Sequence, residues 1–219
     1  MSTPDLDATR FLGFLPEADL LALRACASEV RIRTGDTAFL EGDRSGRVVI
    51  VEEGVLRVSA VATSGEELLI AFRGPGELLG EQSLLDGAGH GQTVRAVTDA
   101  QLLSVAGDAF LDLLGTRPGV SMALHRAHVQ RLREADAMRL ELATMDVEGR
   151  IARRLSELFA STGDPELAIS QQELANWVGA SREAVTKGLA KLRRRGVLET
   201  SRGSIRITDP GGLRELSAT

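Results

Sequence analysis

The sequence predicts an α+β protein: a β-rich first half, one long helix, then a small helical domain that closes on a β-hairpin. Between about Val30 and Val105, short β-prone runs alternate with glycines. Val120–Met145 contains no Pro or Gly and is rich in Ala, Leu, Arg, Glu and Met. Ile169–Lys191, ISQQELANWVGASREAVTKGLAK, has the apolar spacing of two short helices joined at a glycine.

Residues 11–29 read as a helical entry with Phe11, Leu12, Leu15, Leu20, Leu21 and Leu23 as apolar positions, Pro16 opening its second piece. Cys26, inside LLALRACASEV, reads as a buried thiol. The expected strands are Val30–Arg33, Ala38–Leu40, Arg47–Glu52, Val55–Val61, Leu68–Phe72, Val94–Val97 and Leu102–Val105. Glycines 35, 42, 46, 54, 65, 74 and 76 punctuate them, which favours a sandwich or β-roll over a parallel sheet.

The helical tract would be roughly 39 Å long at 1.5 Å per residue. Val129, Leu132, Met138, Leu142 and Met145 recur on it at near-heptad spacing. Such a seam calls for a partner helix, here a second copy of the chain. Asp146-Val-Glu-Gly149 breaks the tract, with Gly149 as the expected hinge. Arg150–Ser161 resumes as a helix with Ile151, Leu155, Leu158 and Phe159 on one face, and Thr162–Glu166 forms a loop.

In the next pair of helices Leu174, Ala175 and Val178 make an apolar face, Gly179 permits the turn and Ser181 is an N-cap. Val185, Leu189 and Leu192 recur at i, i+4 and i+7 and so face a core, leaving Glu183, Lys187 and Arg194 on the opposite side, with Arg182 at the helix start. This is the pattern of a helix-turn-helix whose second helix enters the major groove of DNA. Arg and Lys can donate to O6 and N7 of guanine, and Glu can accept from N4 of cytosine. An ordinary i,i+4 surface ion pair between Glu183 and Lys187 is the competing reading. Gly196–Glu199 and Ser204–Thr208 flank a turn-like Thr200–Gly203 and read as a hairpin wing carrying Arg202. Positions 182, 187, 191, 193, 194, 195, 202 and 206 are all Lys or Arg, a cluster suited to phosphates.

The 219 residues suffice for two modest domains. The net charge of −5 is unevenly spread: residues 1–145 carry 14 basic and 21 acidic side chains, residues 146–219 carry 12 and 10. An acidic body thus bears a locally basic reader, and binding follows the local field. No run of about 18 apolar residues occurs, so no membrane span is expected. The polar start MSTPDLDATR is not a signal peptide, and a cytoplasmic protein is expected. One cysteine excludes a disulfide framework or a multi-cysteine cluster within one chain. His125 and His128, three apart, read as surface residues, so no metal site is expected. No P-loop, GxSxG or HExxH is present, and no catalytic residue is proposed.

In this order of parts the chain resembles the cyclic-AMP receptor protein superfamily of bacterial transcription regulators, the CRP/FNR group. The resemblance covers nearly the whole chain and rests on QQELANWVGASREAVTKGLAKLRRRGVL, DVEGRIA and PGELLGEQSLLDG…TVRAVTDA. It implies a cyclic-nucleotide-binding-like β-roll (a jelly roll) over 1–118, a dimerisation helix over 119–145 and a winged helix-turn-helix over 146–219. It implies double-stranded DNA, a second copy of the chain and RNA polymerase as partners. Positions matching Arg182, Glu183 and Lys187 read a GTGA core; the third is usually Arg, and Lys187 lacks the planar fork. Gln171 and Gln172 would touch the DNA backbone or an outer base. With Ser181 and Arg202 these make up the expected DNA-binding set.

The resemblance also implies a nucleotide cassette in which a Gly-Glu pair holds the ribose and an Arg-Ser pair the cyclic phosphate. Gly80 and Glu81 match the first pair, but His90 and Gly91 stand where Arg-Ser is expected. The phosphate would lose a bidentate ion pair and a hydrogen bond. The adenine-contacting positions fall at about Ala135 and Asp136, and Gln92 and Arg131 complete the expected ligand set. No cofactor is certain on this reading. The pocket is vestigial, adapted to another ligand, or part of a constitutively active protein. A regulatory module acting on a partner protein is the alternative from a different class, and an ordinary cyclic-AMP-dependent regulator the alternative within the same one.

Overall fold

Apolar–polar alternation interrupted by left-handed glycines builds two four-stranded sheets from residues 27–106. A computed structural model describes residues 10–63 and 65–217. The polar start of the chain, read above against a signal peptide, lies almost wholly outside these residues. One sheet has the order β1 (Ala27–Ile32), β8 (Ala100–Ala106), β3 (Arg47–Glu53), β6 (Leu78–Leu79). The other runs β2 (Thr37–Phe39), β7 (Thr93–Ala96), β4 (Leu56–Val61), β5 (Glu67–Arg73). The pairings β1–β8, β3–β8, β3–β6, β2–β7 and β4–β7 are antiparallel. Val49, Val51, Leu79 and Leu102 of the first sheet share a core with Phe39, Leu56, Val58 and Val94 of the second. The expected sandwich forms, with β6 as a strand that the sequence pattern did not reveal because it is only two residues long.

The chain divides into two compact units, one built from residues up to Ala60 with Phe72–Ala135, the other from Val61–Ala71 with Asp136 onward. In the first, the outer face of the β1-containing sheet is covered by a single-turn 3-10 helix (Leu12–Phe14), α1 (Glu17–Ala25), α3 (Gly107–Thr116) and the start of α4 (Pro118–Thr144). Val120, Ala123, Leu124 and Ala127 of α4 recur at i, i+3, i+4 and i+7 and are buried against Phe110, Ile50 and Leu103. The entry helix ends earlier than expected, since Ala27 already belongs to β1. Cys26 is a correction: it is exposed at the end of α1, its thiol donating to the Leu23 carbonyl at 3.2 Å. Leu21 is likewise exposed. A nine-residue helix lying on a sheet needs only part of its apolar set as its buried face.

In the second unit α5 (Val147–Thr162) supports α6 (Gln171–Val178) and α7 (Arg182–Arg194), followed by β10 (Leu198–Ser201), β11 (Ser204–Ile207) and α8 (Pro210–Leu216). Ile151, Leu155 and Leu158 are buried as expected, with Leu174, Val178, Val185, Leu189 and Leu192 from the helix pair. The loop after α5 contains a strand, β9 (Glu166–Leu167), which pairs with β11 and makes the wing three-stranded. The Gly149 hinge is corrected. The break between α4 and α5 falls at Met145–Asp146, where Asp146 caps α5 by accepting from the Gly149 amide at 2.8 Å. Gly149 sits inside the first turn of α5, where a Cβ would lie 3.1 Å from Met145 Cε. Its smallness serves packing.

The five-residue seam on α4 also divides. Val129 and Met138 are nine residues apart, about 180° around a helix. Met138 and Leu142 line a pocket with Trp177, Val178 and Gly179 of their own chain, although Leu142 is as exposed as Val129. Val129 and Leu132 stay exposed, and with Met122 and Leu140 they form an apolar stripe on the other side.

Candidate nucleic-acid interface and sensor pocket

The two reader helices are capped and spaced by local chemistry. Ser170 closes a capping box on α6 with Glu173, and Ser181 caps α7 by accepting from the Ala184 amide at 3.2 Å. Gly179 adopts φ +62° between them, and a Cβ there would lie 2.8 Å from Leu142 Cδ2. The turn therefore needs glycine both for its backbone and for the close approach of α4. Gly188 approaches α5 as closely: a Cβ would lie 2.6 Å from Ile151 Cδ1.

This packing leaves Ser181, Arg182, Glu183 and Lys187 exposed on the first two turns of α7. Among the described residues no ion pair joins Glu183 to Lys187, so the surface-bridge reading has no contact behind it. Arg182, Lys187, Arg193, Arg194 and Arg202 are all exposed and in no salt bridge among the described residues. The other three members of the basic cluster are engaged within the domain. Lys191 and Arg195 each lie 3.3 Å from Glu148, and Arg206 lies 2.6 Å from Glu166. Hydrogen bonds from Ser204 and Arg206, with the Arg206 charge, hold the Glu166 carboxyl below its ordinary pKa. Arg202 stands with Gly203 in the two-residue loop between β10 and β11, a tighter tip than the expected Thr200–Gly203. At the start of α6, Gln171 accepts from the Thr186 hydroxyl at 2.9 Å, and Gln172 donates to Asn176 at 3.1 Å and to Glu66 at 3.4 Å. Thr186 was not foreseen as a residue linking the two helices. Its position one residue before Lys187 on α7 was the available signal.

The sensor residues meet at the start of α2 (Glu81–Asp86). Gly80, Glu81, Gln82, Ser83, His90, Gly91, Gln92 and Arg131 line one pocket with Phe39, Leu79 and Val94. Gly80 has φ +90°, and a Cβ there would lie 2.9 Å from both the Arg47 carbonyl and Phe39 Cζ. Ala135 and Asp136 do not line the pocket; both are exposed, and Asp136 pairs with Arg139 at 3.1 Å.

Two internal networks fill the site. Arg131 reaches Glu81 Oε1 at 2.6 Å and also donates to the Leu78 carbonyl, while His128 Nε2 lies 3.3 Å from the same Glu81 oxygen. Burial alone would raise the Glu81 pKa, but the His128 hydrogen bond and the Arg131 charge more than offset it and hold it below its ordinary value. His90 is buried and stacks near Phe39, ring centroids 4.2 Å apart. Ser83 Oγ donates to the Gly80 carbonyl at 3.1 Å, which leaves it to accept from His90 Nδ1 at 3.0 Å. Ser45 Oγ then donates to His90 Nε2 at 2.7 Å. Burial pushes the His90 pKa down, and Arg47 adds to this against the opposing charges of Asp43 and Glu81, so the ring is neutral at pH 7. Neither Ser45 nor His128 was foreseen in this site, since both join it only across the fold. His128 faces Glu81 while His125 bonds the Ser121 carbonyl at 2.6 Å, and no cluster of three metal-binding side chains occurs among the described residues.

The space left is about 40 Å³, room for roughly one water molecule. The Glu81 carboxylate is ion-paired with Arg131, and His90 presents a neutral ring with both nitrogens engaged.

Comparison with known proteins agrees with the two halves. Residues 29–117 match the family model described as a cyclic nucleotide-binding domain, and residues 149–216 the Crp-like helix-turn-helix domain. The chain is 32% identical over 206 residues to a CRP-like cAMP-activated global transcriptional regulator of Mycobacterium tuberculosis, covering 91% of this chain and 92% of that protein. A solved CRP/FNR-family regulator of Thermus thermophilus superposes with a TM-score of 0.72 at 29% identity, covering 88% of this chain and 99% of that one. The c-di-GMP responsive global regulator CLP of Xanthomonas campestris gives a TM-score of 0.70 at 26% identity, with 88% and 99% covered. A basic helix-turn-helix, a β-roll carrying a Gly-Glu cassette and relatives that span both place the chain in the CRP/FNR-type family of transcription regulators.

Proposed function

We propose that the protein is a homodimeric, sequence-specific regulator that reads a two-fold symmetric TGTGA-like site and whose reader is not gated by cyclic AMP. The observation that carries the second part is the self-filled cassette: Glu81 held by Arg131 and His128, and His90 held between Ser45 and Ser83. Arg182, Glu183 and Lys187 supply the base contacts, Ser181 and Arg202 contacts to the backbone, and Gln171 and Gln172 contacts to the backbone or an outer base. On this reading residues 1–118 form the sensor, 119–145 the dimer helix and 146–219 the reader. The apolar stripe Met122, Val129, Leu132 and Leu140 is the surface on which the second copy docks. Dimerisation sets two reader helices about 34 Å apart, as successive major grooves require. RNA polymerase is the further partner that the family implies, and the cytoplasm the compartment in which the protein acts. No helix among the described residues is long and apolar enough to cross a membrane.

The test is a fluorescence-anisotropy titration of a labelled TGTGA-N6-TCACA duplex at fixed salt, with and without cyclic AMP. Tight binding that is unchanged by the nucleotide is expected. Binding that appears only with cyclic AMP would make the protein an ordinary nucleotide-dependent regulator. Salt-insensitive or absent binding to every duplex selected from a random pool would favour the partner-protein module instead.

A further inference from the structure

We propose that the cavity between the end of α4 and the first reader helix is a binding site for a small uncharged ring compound of about benzene size. The cavity measures about 150 Å³ and is lined by Met138, Leu142, Trp177, Val178 and Gly179, with Glu141, Arg150, Arg154 and Asn176 as its polar members. It is larger than the nucleotide pocket and more apolar in its walls. All of its lining residues come from one chain and from the second unit.

The polar groups around it are already satisfied. Arg150 donates to the Val178 carbonyl at 3.0 Å and to the Met145 carbonyl at 2.8 Å. Arg154 pairs with Glu141 at 2.5 Å and with Glu157 at 2.6 Å, and its guanidinium carbon sits 5.9 Å from the Trp177 ring centre. Arg153 lies 3.2 Å from Glu141. Arg154 and Glu141 neutralise each other and Arg150 is held by two backbone carbonyls, so the wall facing the cavity is mainly apolar. Dry apolar cavities of about this volume take up benzene-sized molecules. The flexible Met138 and the flat face of Trp177 suit a ring of variable outline. An occupant would touch α4, α5 and α6 together, across the break at Met145–Asp146, and would add to their mutual packing.

Trp177 is the only tryptophan in the chain and lines the cavity, so it reports on the site directly. The full-length protein would be titrated with fluorobenzene, following the ligand by fluorine NMR and the protein by intrinsic fluorescence. Saturable binding with a dissociation constant of about 1 mM or below is expected, with the Trp177 signal changing over the same range. Leu142→Asp, which sets a carboxylate in the wall at a half-exposed position, and Met138→Phe, which fills the space, should each weaken binding at least about tenfold, the loss of one well-matched apolar contact. Non-saturable partitioning, or saturation that leaves Trp177 unchanged, would overturn the proposal, as would equal affinity in both folded variants. Thermal unfolding without ligand identifies a variant that fails to fold. The wild-type titration decides the question on its own if both do.

Discussion

The reader helix and the nucleotide cassette are built from the same kinds of side chain and leave them in opposite states. On α7 the proposed recognition residues Arg182, Glu183 and Lys187 are exposed, with no ion pair among them. In the cassette Glu81 and His90 are almost fully buried, and each finds its partners inside the chain. A surface whose donors are free is ready for DNA at little reorganisation cost. A pocket whose donors are satisfied must first break its own bonds, and each broken bond is subtracted from ligand affinity.

The largest effect expected on this contrast comes from breaking the cassette's own pairing. Arg131→Ala leaves the buried Glu81 carboxylate short of its main cation and should cost about 3–5 kcal/mol in urea denaturation. Adding Glu81→Gln should recover much of that loss. Equal stability of wild type and Arg131→Ala would mean that the pair does not hold α4 to the β-roll. On the reader side, Arg182→Ala should weaken binding to the preferred duplex by roughly 1–3 kcal/mol while leaving thermal stability unchanged. An unaltered affinity would remove Arg182 from the recognition set. Arg202→Ala should reduce binding to all duplexes alike and lower the salt slope by about one per wing; a loss confined to one base pair would contradict a phosphate contact.

The smallest effect is a pH dependence specific to the cassette. The His90 pKa is depressed in the folded state below its ordinary 6.5. On lowering the pH the unfolded chain takes up this proton first, so the neutral ring's contribution is complete above about 6.5 and drains away as pH falls through the folded value. Between about pH 7 and 5.5 the urea midpoint of wild type should therefore fall more steeply than that of His90→Gln. Parallel profiles would show that the ring is not held neutral by its burial.

The amino-acid sequence on its own determined the parts whose physics is local. Period-3.6 apolar spacing with Ser170, Gly179 and Ser181 at the ends specifies α6 and α7, because capping and amphipathicity act within a few residues. Glycine-spaced β-prone runs likewise specified a two-sheet half. Tertiary structure alone decided what depends on neighbours distant in the chain. It paired Glu81 with Arg131 fifty residues away, and His90 with Ser45 forty-five residues away. It turned Met138 and Leu142 of the α4 seam to a different side of the helix from Val129 and Leu132, since a near-heptad list does not say how far the helix turns between its members. It placed β9 beside β11, narrowed the break from Asp146–Gly149 to Met145–Asp146, and exposed Cys26. Each of these outcomes is set by which surfaces meet when the sheets and helices pack, and a sequence pattern records that only where both partners lie within a turn or two of each other.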